Sequence, residues 1–247
     1  MKPVLMSLAV AVLAAAFVLP TYAASPVALE KVAPVAELVA VGDAKIATLE
    51  AALKDGDSYG AAKSKAIPKD AGVLAVVAQA LAEHSDKAAW KGAAADVRNA
   101  ALKLAEAKSY DDAKAALAAV KEAQGGKASG AKAEHDWAKL TSLDNVMTEV
   151  AFLNGKVRGA LRKTGDDTAE ATRQASTLAV LALVAHADTH EVKNKNDISK
   201  WQKFAADMQT HMTETATALR AKDAAAAKTA FAAAGKQCAG CHADFKE

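Results

Sequence analysis

The last proline of this chain is Pro68, and more than two thirds of the sequence follows it. Proline removes a backbone donor and clashes with the preceding turn, so its absence leaves that whole stretch open to continuous helix. The side chains push the same way. Alanine, the best helix former, is abundant throughout, whereas aromatic residues make up only 4% of the chain. Of the five prolines, only Pro26, Pro34 and Pro68 lie beyond the first 24 residues. This composition favours helix strongly over strand, and the chain is expected to be all-α.

The first residues read differently from the rest. Lys2 is followed by an apolar stretch from Val4 to Leu19, then by Pro20-Thr21-Tyr22-Ala23-Ala24. A positive start, a short hydrophobic core and small residues at its end describe a secretory signal peptide over residues 1–24, cut after Ala23 or Ala24. The apolar run is short for a spanning helix, so no stable membrane span is expected after cleavage. The expected location is periplasmic or otherwise exported. Losing Lys2 lowers the formal net charge from +2 to about +1, which gives no reason to expect nucleic acid as a partner.

What remains reads as a duplication. Gln124-Gly125-Gly126-Lys127-Ala128-Ser129-Gly130 has linker composition, and the segments on either side resemble each other. Trp90 and Asp96 recur as Trp201 and Asp207 at the same spacing, and Leu74-Ala75-Val76-Val77-Ala78 recurs as Leu178-Ala179-Val180-Leu181-Ala182. Residues 25–124 and 134–247 are therefore expected to be two repeats joined by residues 125–133. Each is expected to form an antiparallel up-down four-helix bundle with its own core. In the second, helices are expected over Lys132 to Arg162, from Asp166 or Asp167 to about His190, from Asp197 to Arg220, and from Asp223 onward.

That last helix carries Cys238-Ala239-Gly240-Cys241-His242, near the C-terminus. C-x-x-C-H is the attachment sequence of c-type haem. Two thiols three positions apart lie on one helix face and can each form a thioether with a haem vinyl group. The imidazole four residues after the first can reach the iron axially. The chain has only two cysteines, and both stand here. Phe231, Ala234, Cys238, Cys241 and Phe245 alternate at spacings of three and four, which turns the cysteines toward a bundle seam. One haem c is expected, on Cys238 and Cys241, with His242 as proximal ligand.

With its motif at the end of the last helix, the segment 134–247 resembles cytochrome c′. The first repeat looks like the same bundle after loss of haem, because Gln124, Lys127 and Ala128 stand where Cys238, Cys241 and His242 do. The resemblance implies two tandem cytochrome c′-type bundles, one holding haem and one haemless. It also implies a bulky residue of the first helix over the distal face of the iron. Aligning Gly155-Lys156 with the family's glycine and basic residue places Met147 there, as an iron ligand or as an apolar cover. The arginine and glutamine with which the family contacts haem propionates correspond here to Leu143 and Asp144, a departure from the pattern.

His186 and His190 are four apart on one expected helix face, near the haem end. They can belong to the haem pocket or simply favour the negative end of their helix. Zinc on these histidines and the two thiols would leave His242 without a role. A thioredoxin-like dithiol would need a strand-helix alternation that is absent. Asp166-Asp167 and Asp111-Asp112 stand where helices begin, and Trp90 and Trp201 read as packing anchors. His84, His135 and His211 read as surface or internally satisfied residues. No acid-base or nucleophile arrangement argues for an enzyme. The reading is thus an exported cytochrome moving single electrons to and from a redox partner protein. A haem protein binding small gases such as nitric oxide or carbon monoxide is the alternative; a third reading is a non-catalytic interaction protein whose haemless bundle docks a partner or pairs with its sister, and a homodimer stays open.

Overall fold

The computed structural model describes residues 25–85, 90, 92–163 and 168–246. The expected signal peptide, Asp166 and Asp167 fall outside the described residues. Those that are described form an all-helical protein with no strand among them. The α-helices are α1 (Val35–Ala52), α2 (Gly56–Ala62), α3 (Ala66–Glu83), α4 (Ala94–Ala105), α5 (Tyr110–Gln124), α6 (Leu143–Arg162), α7 (Ala169–Ala187), α8 (Ile198–Arg220) and α9 (Ala224–Phe245).

Local chemistry sets several of the boundaries. The side chains of Asp55, Ser109, Ser142 and Asp223 accept from Ser58 N, Asp112 N, Asn145 N and Ala226 N, capping α2, α5, α6 and α9. Ser109 thus takes the capping role expected of Asp111-Asp112, which stand instead in the first turn of α5. Three expectations are corrected. The first half contains an extra short helix, α2, between α1 and α3. The helix expected from Lys132 begins only at Leu143, because Asp136 caps a separate 3-10 turn over Trp137–Lys139 whose Trp137 is buried. Finally, α7 stops at Ala187, so His190 lies beyond the helix.

In the first half α1 packs on α3, α3 on α4, α4 on α5, and α5 returns to α1. In the second, α6 packs on α7, α7 on α8, α8 on α9, and α9 touches α6. Neighbours run antiparallel. The Thr168 hydroxyl at the start of α7 donates to Leu219 O at the end of α8 (3.0 Å), while Trp201 Nε1 at the start of α8 donates to Ala185 O at the end of α7 (2.6 Å). In the first half Tyr110 Oη at the start of α5 donates to Leu53 O just past α1 (3.0 Å).

The repeated Leu-Ala-Val segments sit at the centre of the molecule. Residues 70–81 of α3 and 175–185 of α7 are buried without a break, as a helix apolar on every side must be. Each buried valine or leucine there contributes about 1.5–3 kcal/mol relative to exposure. The second sides of α3 and α7 are covered by the opposite half: α1 packs on α7, α3 on α6, and α3 on α7. The two halves therefore share one hydrophobic core instead of the separate cores expected of them.

Trp90 shows how tight this packing is. It is 2% exposed, and its ring lies against α1 at Gly42, where a Cβ would stand 2.2 Å from Cη2. Alanine at residue 42 would gain about 1 kcal/mol in helix preference, but displacing a buried indole costs about 3 kcal/mol. Gly42→Ala is therefore expected to lower the midpoint of urea unfolding by an amount equivalent to about 2 kcal/mol.

Candidate functional site

The cysteine-bearing end of α9 lies against the start of α8. Phe245 meets Trp201 edge-on, with ring centroids 5.2 Å apart and planes at 83°, and it meets Phe204 in the same manner at 6.5 Å. A Cβ on Gly240 would stand 2.8 Å from the Phe204 ring, so the middle of the C-x-x-C segment approaches α8 as closely as a glycine permits. Lys200 and Asp244 pair across the same helices at 2.9 Å. Trp201 also reaches α7 through Ala185 O, so the end of α7, the start of α8 and the end of α9 lie together. The alternation of directions brings the start of α6 to this end as well.

Cys238 and Cys241 are free thiols, both partly buried and packed against the core. Their inward turn follows the seam read from the sequence, Phe231, Ala234, Cys238, Cys241 and Phe245, which Ala227 extends. Cys238 Sγ lies 3.9 Å from Met208 Sδ of α8. Met208 escaped the sequence reading. Its available signal was its position seven residues after Trp201, two helical turns along the same face. Burial pushes both thiols up: that of Cys238 above its ordinary value, and that of Cys241 to about 11, with the neighbouring Cys238 and Asp244 adding to the shift. At neutral pH both are protonated, unlike the low-pKa thiolates of disulfide oxidoreductases. His242, four residues after Cys238 and expected on the cysteine face, is instead exposed, since it lies about 100° round the helix from Cys241 at the edge of that face.

The other candidates divide. Met147 is partly buried against the core, on the α6 face that buries Leu143, Val146 and Val150. His186, in the last turn of α7, is partly buried, and burial holds its pKa below the ordinary value. His190 is exposed and no longer shares a helix with it. Its Nδ1 meets Asp188 Oδ1 at 2.5 Å and its Nε2 meets Glu191 Oε1 at 3.0 Å. Hydrogen bonding to Asp188 raises its pKa, and the imidazole is tied to carboxylates. Among the described residues no three His, Cys, Asp or Glu side chains gather as a zinc site would need.

The first half supplies an internal contrast. Its last helix, α5, buries Ala113, Ala116, Leu117, Val120 and Ala123, a well-covered seam. The longer α9 buries only Ala227 and Ala234, and from Phe231 onward its other seam residues are half-covered. Of the counterparts of the motif, Gln124 is the last residue of α5, while Lys127 and Ala128 lie past its end, where Gly126 takes φ +97° and closes the helix. Lys127 and Ala128 are exposed. The donor set on α9 fits a c-type haem: two protonated thiols a turn apart on an incompletely covered apolar seam, with an imidazole on the next residue.

No protein-family model, no curated protein and no solved structure matches the chain. Among the described residues no helix is long and apolar enough to cross a membrane.

Proposed function

We propose that this protein is an exported c-type cytochrome built as two tandem cytochrome c′-type bundles. Only the second holds haem, on Cys238 and Cys241 with His242 as proximal iron ligand. The observation that carries this reading is the contrast between α5 and α9. Two helices in matching places differ in that one is fully seated, while the one with C-x-x-C-H leaves its apolar seam half-covered at the cysteines. When bound, haem c supplies a one-electron iron couple whose potential depends on its axial ligands and burial. The chain's own part is to offer the thiols, to hold the α9 terminus against α8 through Gly240, Phe245, Trp201 and Phe204, and to wall the site with apolar side chains. Intact mass spectrometry under denaturing conditions tests this. The secreted chain should retain one haem, and haem released by acid extraction would refute it.

A second reading, the binding of small gases at a five-coordinate iron, draws on the α6 face. Leu143, Val146, Met147 and Val150 make it apolar, and His190 is occupied by Asp188 and Glu191. Met147 is then a cover over the distal side, and Met147→Ala should speed carbon monoxide binding without changing the resting visible spectrum. If Met147 instead ligates iron, the same substitution should convert a low-spin spectrum to high-spin, which selects electron transfer.

A further inference from the structure

The packing between the two halves has a regularity that the packing within each does not require. The principal cross-contacts are α1 on α7, α3 on α6, and α3 on α7. Exchanging the halves turns α1 into α6 and α3 into α7, and the set of contacts maps onto itself. That is the pattern of an isologous interface, the kind two copies of one subunit form around a two-fold axis.

The side chains at this interface make their own connections. Lys45 of α1 and Lys69 of α3 each bridge Asp70 of α3 and Glu149 of α6, giving a ring of four charges closed at 2.5–2.8 Å. Glu149 is 1% exposed and its nitrogen partners come entirely from the first half. Glu37 of α1 accepts from Ser176 of α7 and from Arg220 Nε of α8, the latter at 2.7 Å. Trp137 Nε1 donates to Glu83 at 3.0 Å. Apart from these contacts, Arg98, 3% exposed, ties down the end of the linker by donating to the carbonyls of Lys132 and Ala133 at 2.9 and 3.0 Å. Gly72 of α3 lies so close to Thr141 that a Cβ there would stand 2.2 Å from its hydroxyl. Residues 125–130 are exposed throughout, and Ser129 among them donates its N–H and hydroxyl to Asp96 of α4.

We propose that the first half is a subunit in cis. It occupies the α6–α7 face of the second half as a second copy would, and holds it by contacts that do not depend on the linker. Its role is to bury the central helix α7 and to fix α6 through the Lys45–Lys69–Asp70–Glu149 ring. The docking stands apart from the haem reading, since none of its residues belongs to the C-x-x-C-H segment.

The test uses the full chain with a specific protease site placed within residues 126–130 and cut after folding. The cut protein is expected to elute from gel filtration as one particle of intact size at micromolar concentration, with both fragments in it. Lys45→Met with Lys69→Met, and separately Gly72→Val, are expected to raise the dissociation constant of the cut protein at least tenfold. Fragments that part at micromolar concentration in low salt, folded or not, would overturn the proposal, as would variants that leave the dissociation constant unchanged. Haem staining of the separated fragments reads the cofactor independently: a colourless second fragment that still binds the first would sink the haem reading and leave the docking intact.

Discussion

Cys238→Ala combined with Cys241→Ala is expected to give a secreted protein without covalent haem, so that its denatured mass falls by one haem and its visible colour is lost. The physical basis is the absence of any other thiol in the chain. Either single substitution should leave a haem held by one thioether and more easily lost. His242→Ala should leave both attachments intact while changing the spectrum, because it removes the proposed proximal ligand of the iron and nothing else. Its side chain is exposed, so the fold does not depend on it. Neither cysteine is fully buried, and the haem-free double variant should unfold within about 1 kcal/mol of the haem-free parent. A variant that keeps covalent haem after both substitutions would end the assignment.

Much of this architecture was legible because it rests on local rules. The alanine-rich, proline-poor chain after Pro68 is helical, Asp223 caps the last helix, and the seam at spacings of three and four turns the cysteines inward. The misses have equally local causes. Lys132 to Thr141 contains good helix formers, yet Trp137 is drawn to the core, where Glu83 accepts its indole proton, and the chain bends to deliver it. Periodicity sets His190 on one helix face with His186, but Asp188 ends the helix and takes the imidazole for itself.

What sequence could not supply was the pairing of distant surfaces. The unbroken burial of α3 and α7 was hinted at by their repeated Leu-Ala-Val segments, but nothing in a single strip of sequence says that one helix's second face is covered by the other half. Met208 beside Cys238, and Glu149 between two lysines, are of the same kind. Each residue is ordinary alone and acquires its meaning from a partner 30 to 104 positions away.

Glu149→Ala should be the most destabilising single substitution of the ionic ring, and the reason is asymmetry. The carboxylate is 1% exposed and neutralises Lys45 and Lys69, which are themselves only 15% and 20% exposed. Removing it leaves two ammonium groups facing Asp70 alone, and stripping one partner from such a buried pairing costs about 3 kcal/mol. Glu149 stands on α6 two residues beyond Met147, so the loss loosens the helix proposed to wall the distal side. The ring also sets a pH window. For Asp70, burial alone would raise the pKa, but Lys45 and Lys69 outweigh it and hold the carboxyl below 3.8. Its contribution is therefore present above that value and is lost as pH falls through the depressed one. For Lys69, burial alone would lower the pKa, but Asp70 and Glu149 hold it above 10.5. Its contribution is complete below 10.5 and fades as pH rises through the elevated value. The ring's own share of thermal stability should thus be level between these limits and drop beyond each, so that above pH 10.5 Lys69→Met should lose less than the parent. If the parent and Lys69→Met lose stability in parallel above pH 10.5, the ring does not hold the two halves together in the way its geometry indicates.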